Sequence, residues 1–166
     1  FRLDMPELTC LTFRSLSDIR VAFAAELVDS LATHSPHLSQ LTCDLGDSFE
    51  DFPFSQLNRF ANLNQIKLLG IGKIQEPIDS IFPSKLTELE LDRVEFDAGG
   101  MPALLSTLPN LHTLTLKRVS SLSSFEGWFS RSVRLLRLNN LSLGTLVLST
   151  HFPSLREVLP FVTLFS

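Results

Sequence analysis

The fold is decided by residues 86–94, LTELELDRV, and by a near-repeat of them at residues 111–119, LHTLTLKRV. In both stretches an apolar residue stands first, fourth and sixth, so they share the template apolar-x-x-apolar-x-apolar. The last two apolar residues flank a polar one, as in a short strand that buries one face. Such a strand cannot bury that face alone, so the two stretches predict neighbouring strands of one sheet.

The same template recurs along the whole chain at spacings between 22 and 30 residues. A period of this length is typical of proteins built from stacked structural repeats. We therefore predict about seven irregular repeats whose strands stack in register into one parallel sheet, roughly 30 Å wide. The template triplets are Leu8-Leu11-Phe13, Leu38-Leu41-Cys43, Leu63-Ile66-Leu68, Leu86-Leu89-Leu91, Leu111-Leu114-Leu116, Val133-Leu136-Leu138 and, as a poorer match, Leu155-Val158-Pro160.

The segments between the strands are predicted to form an outer layer. Asp18 can cap a helix that carries apolar residues at helical spacing as far as Leu31, before His34-Ser35-Pro36 ends it. Asp97 precedes a similar set that Pro109 closes, and Ser124 precedes a third. Three shorter segments have room for little more than one helical turn: residues 52–62, 75–84 and 144–153.

The composition excludes several classes of protein. At 166 residues, with 44% hydrophobic and 19% charged residues, the chain fits one folded domain and not a disordered segment. The net charge of −4 lacks the basic balance of nucleic-acid binders, so nucleic acid is not an expected partner. No apolar run approaches the ~20 residues that span a bilayer, so a membrane is not expected either. The chain does not begin with Met, and we expect it to be part of a longer protein.

The two cysteines favour a reducing compartment. Cys10 and Cys43 cannot provide a disulfide framework or a four-ligand zinc site. Cys43 occupies an inward template position and is expected in the core, whereas Cys10 is expected to face outward from the first strand. An intracellular protein, cytoplasmic or nuclear, is the prediction.

Several short motifs suggest chemistry, but each has a structural interpretation that we prefer. His34-Ser35-Pro36-His37 could offer two imidazoles to a metal, yet nothing completes a four-ligand set, and the end of a helix explains it. Gly70-Ile71-Gly72-Lys73 lacks the spacing of a phosphate loop and is expected to be the turn after a strand. No Gly-x-Ser-x-Gly elbow presents a serine nucleophile. We therefore predict no catalytic residue, cofactor or metal site, and a protein that is not an enzyme.

The repeats Leu86-x-x-Leu89-x-Leu91 and Leu111-x-x-Leu114-x-Leu116 resemble leucine-rich repeats, and the resemblance covers nearly the whole chain. A proline precedes several units, as in Leu108-Pro109-Asn110-Leu111, the unit lengths are irregular, and the Asn of regular extracellular repeats is missing from the ninth position. This style is similar to intracellular leucine-rich repeats, such as those of F-box proteins, especially fungal ones, and of plant nucleotide-binding immune receptors.

The resemblance implies an α/β leucine-rich-repeat solenoid, or horseshoe, that forms a single domain over residues 1–166. Its parallel sheet would line the concave face, and helices or turns would form the convex face. It also implies a non-enzymatic scaffold that binds another protein on the concave face, or a subunit of a larger complex. Two more specific roles stay open: the substrate-recognition region of an F-box ubiquitin ligase and the sensor region of an intracellular immune receptor.

The strand template also predicts which charged side chains face outward from the core. We expect them to form two ridges on adjacent strands that contact a partner protein, because complementary charge sets specificity and association rate. The alternative is that they pair with each other, as Asp92 and Lys117 could do across the sheet, for only ~0.2–1 kcal/mol. The acidic ridge comprises Glu88, Glu90 and Asp92, and the basic ridge comprises Lys117, Arg118, Arg134 and Arg137. In the last unit Leu159 and Phe161 are also predicted to face outward, which indicates either that the register fails there or that further repeats cover them. The second alternative fits a truncated array, because terminal repeats need polar caps.

Overall fold

The computed structural model of the chain describes residues 5–14, 21–46, 54–73, 81–95, 100–118, 130–139 and 156–161. Strands alternate with helices or turns through these ranges. The elements, in chain order, are β1 (Cys10–Phe13), α1 (Val21–His34), β2 (Gln40–Gly46), a 3₁₀ helix (Phe54–Arg59), β3 (Gln65–Lys73), β4 (Glu88–Glu95), α2 (Gly100–Thr107), β5 (Thr113–Lys117), β6 (Leu135–Asn139) and β7 (Glu157–Phe161).

The seven strands form one sheet in the order of the sequence, and every neighbouring pair is parallel. The template residues pair with their counterparts in register. For example, Leu91 of β4 aligns with Leu68 of β3 and with Leu116 of β5. Even the poorest match follows the rule, since Val158 and Pro160 align with Leu136 and Leu138. The predicted α/β class and the in-register parallel sheet are confirmed.

A repeated backbone pattern leads into the strands. The N–H of the first template leucine closes a turn on the carbonyl three residues earlier, as Leu111 does on Leu108 at 3.2 Å. The carbonyl of the next residue then accepts two N–H groups of the following unit, as that of Asn64 does from Thr87 and Glu88 at 2.8 and 3.0 Å. Each unit thus fixes where the next strand begins, because its carbonyl is the backbone partner of the first residue of that strand.

The core lies on one side of the sheet, beneath the helices. One cluster of buried apolar residues joins the template residues to Leu31 of α1, Phe54 of the 3₁₀ helix and Leu104 of α2, each at most 1% exposed. The helices predicted before Pro36 and Pro109, and the turn within residues 52–62, are confirmed where the structure describes them. The caps Asp18 and Asp97, the third helix after Ser124, and most of the two other short segments lie outside the described residues.

One local expectation is wrong. Residues Gly70 to Lys73 do not turn away after the strand but continue β3. After a register shift between Leu69 and Gly72, Gly72 and Lys73 pair with Val94 and Glu95 at the end of β4. β4 runs for eight residues and so offers backbone partners this far along, and glycine adopts the local distortion of a bulge at little cost.

No helix within the described ranges is both long and apolar enough to cross a membrane.

Candidate functional site

The two faces of the sheet differ in their exposure. Along β2 the apolar side chains Leu41, Cys43 and Leu45 are buried, whereas the residues between them are half-buried and Gln40 is exposed. The second set of side chains, here named the open face, points away from the core. It comprises Cys10, Thr12, Gln40, Thr42, Asp44, Gln65, Lys67, Leu69, Glu88, Glu90, Asp92, Thr113, Thr115, Lys117, Leu135 and Arg137. Of these, only Asp92 and Thr115 are buried.

Glu90 lies at the middle of the open face between two lysines. Its Oε2 is 3.4 Å from Nζ of Lys67 on β3, and its Oε1 accepts a hydrogen bond from Nζ of Lys117 on β5. The carboxylate is 17% exposed, so two cations from the flanking strands neutralise it in a partly desolvated place. Glu90 thus holds both lysines in place, and the three groups together keep a net charge of +1.

Asp92 is held still more firmly. Nε of Arg118 donates to Oδ1 of Asp92 at 2.8 Å and Nη2 donates to Oδ2, which makes a bidentate pair. The side chain of Asp92 is 4% exposed and that of Arg118 is 52% exposed. The hydrogen bond to Asp92, together with its charge, raises the pKa of Arg118 above its usual value. The guanidinium thus stays charged and covers the carboxylate.

The backbone at Arg118 adopts the left-handed conformation, with φ of 49°. Arg93 stands at the corresponding place of the preceding repeat, two residues after the last template leucine, and has φ of 63°. This conformation costs a residue with a Cβ roughly 1–2 kcal/mol. Arg93 also approaches the same carboxylate, with its Nε 4.0 Å from Oδ1 of Asp92. Asp92 thus lies near two arginines that sit on unusual backbone.

The seven residues predicted to contact a partner do not form two simple ridges. Asp92 and Lys117 align in the strand register, as expected, but Lys117 pairs with Glu90 and Asp92 pairs with Arg118. Asp92 lies on the open face, as predicted, but it is only 3% exposed and Arg118 covers it. The alternative prediction, that the two ridges pair with each other, fits four of the seven residues: Glu90, Asp92, Lys117 and Arg118.

The other three predicted contacts remain accessible. Glu88 is exposed and accepts a hydrogen bond from Nε2 of Gln65 at 2.9 Å. Arg134 and Arg137 are exposed, and no described carboxylate lies within ion-pair distance of either one. Of the seven, these three are the residues that a partner could reach without breaking an ion pair that the structure describes.

A small depression of about 50 Å³ lies on the open face between β3 and β6. Arg137 stands at one end of it, and Gln65 and Lys67 stand at the other. Ile66 of β3 also lines it, and the remaining lining comes from the middle strands and is mainly polar: Glu88, Leu89, Glu90, Thr113 and Thr115. It has room for only a few water molecules, so it suits the tip of a side chain rather than a cofactor.

The cysteine and histidine positions agree with the structural interpretations. Cys43 is buried, and desolvation raises the pKa of its thiol to about 12, whereas Cys10 is exposed. His34 ends α1 and His37 is exposed in the following turn. Among the described residues no group of three or more His, Cys, Asp or Glu could hold a metal ion.

The sequence patterns above do not predict one feature, a hydrogen bond from an asparagine side chain to the preceding unit. Nδ2 of Asn62 donates to the carbonyl of Pro36 at 2.8 Å, and Nδ2 of Asn110 donates to that of Ser84 at 2.9 Å. Each asparagine directly precedes the first template leucine of its unit and bonds to the turn of the unit before it. Their identical position, immediately before the first template leucine, could have indicated this bond from the sequence. It differs from the ninth position, where regular repeats carry Asn.

Comparisons with known proteins assign the chain to no family. No protein-family model matches it, and no curated protein matches it either. The open face and its side chains are thus the observations that bear on function.

Proposed function

We propose that the chain is an irregular leucine-rich-repeat solenoid whose open face binds another protein and catalyses no reaction. The observation that carries this proposal is a parallel sheet with one face uncovered by the described elements. Parallel sheets are normally covered on both faces, because their crossover helices pack on each side. Repeat solenoids are the exception, since every return lies on the same side and the sheet lines an extended binding surface.

The size of the open face suits a protein and not a small molecule. Seven strands about 4.8 Å apart, each offering five residues of about 3.3 Å, give a surface of roughly 29 by 17 Å, or about 500 Å². A standard interface takes about 800 Å² from each partner. A bound protein would therefore cover most of the sheet and extend past at least one edge of it.

The charges of the open face favour recognition over catalysis. Glu90 and Asp92 are each held by cations from neighbouring elements, so both carboxylates already have partners within the protein. These pairs also hold long side chains in place before any partner arrives, which lowers the entropy lost on binding. The depression beside Arg137 would accept one side chain of the partner at the centre of the contact.

Site-specific cross-linking tests where the partner docks. A photoreactive amino acid would replace Thr42 or Thr113 on the open face, and Glu26 on α1 or Ala103 on α2 as matched positions of the outer layer. The four proteins would be expressed in cells that normally contain the full-length protein and then irradiated. We expect the same cross-linked protein from both open-face positions and none from the two helical positions.

A second variant makes the test specific to the centre of the face. Thr113→Trp fills the depression from a half-buried position, so it should remove the cross-link formed from Thr42 while leaving the circular dichroism spectrum unchanged. Cross-links that arise only from Glu26 or Ala103 would overturn the proposal. They would favour a protein whose outer layer makes the contacts within a larger complex.

A further inference from the structure

The charge of the chain is unevenly distributed. Residues 130–161 contain four arginines and one glutamate, a formal net charge of +3. The rest of the chain, with ten basic and seventeen acidic residues, has a formal net charge of −7. The last two strands of the sheet thus belong to a basic region in an otherwise acidic protein, and such asymmetry is typical of a charged interaction surface.

The backbone brings part of this charge together at the edge of the sheet where the strands begin, here called the amino-terminal edge. The N–H of Arg134 donates to the carbonyl of His112 at 2.9 Å, and the N–H of Arg156 donates to that of Arg134 at 2.9 Å. These three residues therefore stand in a row on neighbouring units, about 4.8 Å apart. All three are exposed.

Internal pairing separates these arginines from the other cations of the sheet. Lys117 and Arg118 are occupied by Glu90 and Asp92, as described above. In contrast, no described carboxylate lies within ion-pair distance of Arg134, Arg137 or Arg156. Within the part of the chain that the structure describes, a partner could therefore contact these charges without breaking an ion pair.

We propose that the amino-terminal edge at β5 to β7 binds an acidic segment of the partner protein, with Arg134 and Arg156 as its main contacts. This inference rests on the proposed function and specifies the chemistry of the partner. Arg137 connects the edge to the depression, because it also lines that depression. The acidic segment would extend from the centre of the open face over the beginning of β6 and β7, which supplies contact area beyond the sheet itself.

An acidic protein segment fits this surface better than a nucleic acid does. Proteins that bind duplexes commonly neutralise 6–10 phosphates, whereas this edge offers only about three arginines. The protein carries a net charge of −4, and the exposed Glu88 stands on the same face, so a long polyanion would be repelled beyond the edge. A short run of Glu or Asp avoids that repulsion.

A binding assay with defined peptides tests the inference. The probe is a fluorescein-labelled peptide of alternating Glu and Ser, with a Lys and Ser peptide as its counterpart and a single-stranded DNA oligonucleotide of equal negative charge. Fluorescence anisotropy would be measured with the intact chain at about 50 and about 200 mM salt, because screening weakens contacts between exposed charges. We expect saturable binding of the Glu peptide, weakened by the added salt.

Two charge-reversal variants locate the binding. R134E/R156E reverses two charges at the edge and should weaken Glu-peptide binding roughly tenfold. R14E/K85E reverses two exposed charges elsewhere, so it changes the net charge equally and should change the affinity less than about twofold. Neither variant alters the depression, and both should unfold at the same urea concentration as the parent protein.

The remaining outcomes overturn the inference. They are an absence of Glu-peptide binding, equal losses in the two variants, or tighter binding of the oligonucleotide at the same arginines. Failure of the proposed function is seen separately, as cross-links from the outer layer, because the peptide assay requires no natural partner.

Discussion

Removing Arg118 should show how strongly the fold depends on the bidentate ion pair between Arg118 and Asp92. Asp92 is 4% exposed and receives two hydrogen bonds from Arg118, so Arg118→Ala leaves a buried carboxylate without its main partner. Asp92 lies on the open face and Arg118 covers it, so the substitution also lets water reach part of the carboxylate. The substitution removes little apolar contact, since half of the arginine is exposed.

The expected cost follows from burial. Breaking a buried ion pair by removing one partner typically destabilises a protein by ~3–5 kcal/mol. Arg118 is 52% exposed, and Nε of Arg93 still lies 4.0 Å from Asp92, so part of the charge remains compensated. We therefore expect Arg118→Ala to lower the free energy of unfolding by about 2–3 kcal/mol.

Urea denaturation at pH 7, followed by circular dichroism, measures this cost. Arg59→Ala is the matched control, because Arg59 pairs with Asp29 but both side chains are about half exposed, at 47% and 55%. An exposed pair of this kind contributes at most ~1 kcal/mol. The double variant D92N/R118A should be more stable than R118A alone, since it removes the unpaired charge.

Equal losses in Arg118→Ala and Arg59→Ala, within about 0.5 kcal/mol, would contradict the reasoning, because burial of Asp92 would then have no energetic consequence. A double variant less stable than R118A would contradict it as well. In that case the carboxylate of Asp92 would stabilise the fold through something other than Arg118.

Three further outcomes are expected. Because burial raises the pKa of Cys43 to about 12, its thiol ionises between pH 9 and about 12 only in the unfolded state. The free energy of unfolding should therefore not depend on this thiol below pH 9, and it should fall above pH 9, by about 1.4 kcal/mol at pH 10. Urea titrations at pH 7.5 and 10 should show this fall in the parent protein and not in Cys43→Ala. In the native state a maleimide should label Cys10 and leave Cys43 unlabelled, because only Cys10 is exposed. Asn62→Ala and Asn110→Ala should each lower the free energy of unfolding by about 1 kcal/mol in the same assay, because each removes one bond between units. Glu90→Gln should strengthen Glu-peptide binding a few-fold by releasing two lysines, and an unchanged affinity would mean that internal pairing does not limit the charge of the open face.

The strand register was predictable from the sequence because burial at alternate positions leaves little freedom. A shift of one residue would move Leu89 and Leu91 to the exposed face and bring Glu90 into the core. The same reasoning placed Cys43 inside and Cys10 outside. It also extended to Pro160, which aligns with Leu138 although its unit matches the template poorly.

The ion pairs were less predictable, because they depend on the directions of long side chains, which the sequence does not specify. Register alone aligns Asp92 with Lys117. The left-handed backbone at Arg118 instead lets that side chain reach Asp92 from the end of β5, and Lys117 then meets Glu90. Hydrophobic periodicity carries no information about such a backbone conformation in an arginine. The continuation of β3 through Gly72 was missed for a similar reason, since it depends on the length of β4.

The charge that a partner meets is therefore the charge that remains after internal pairing. From the sequence, Lys117 and Arg118 look equivalent to Arg134 and Arg137, and Asp92 looks equivalent to Glu88. The structure removes the first pair of cations and Asp92 from the accessible set, because a buried carboxylate must keep a cation beside it. The basic surface then moves away from the middle of the sheet toward β6 and β7, where Arg156 joins it. A ligand that reads this surface by charge would have to be acidic where it crosses those strands.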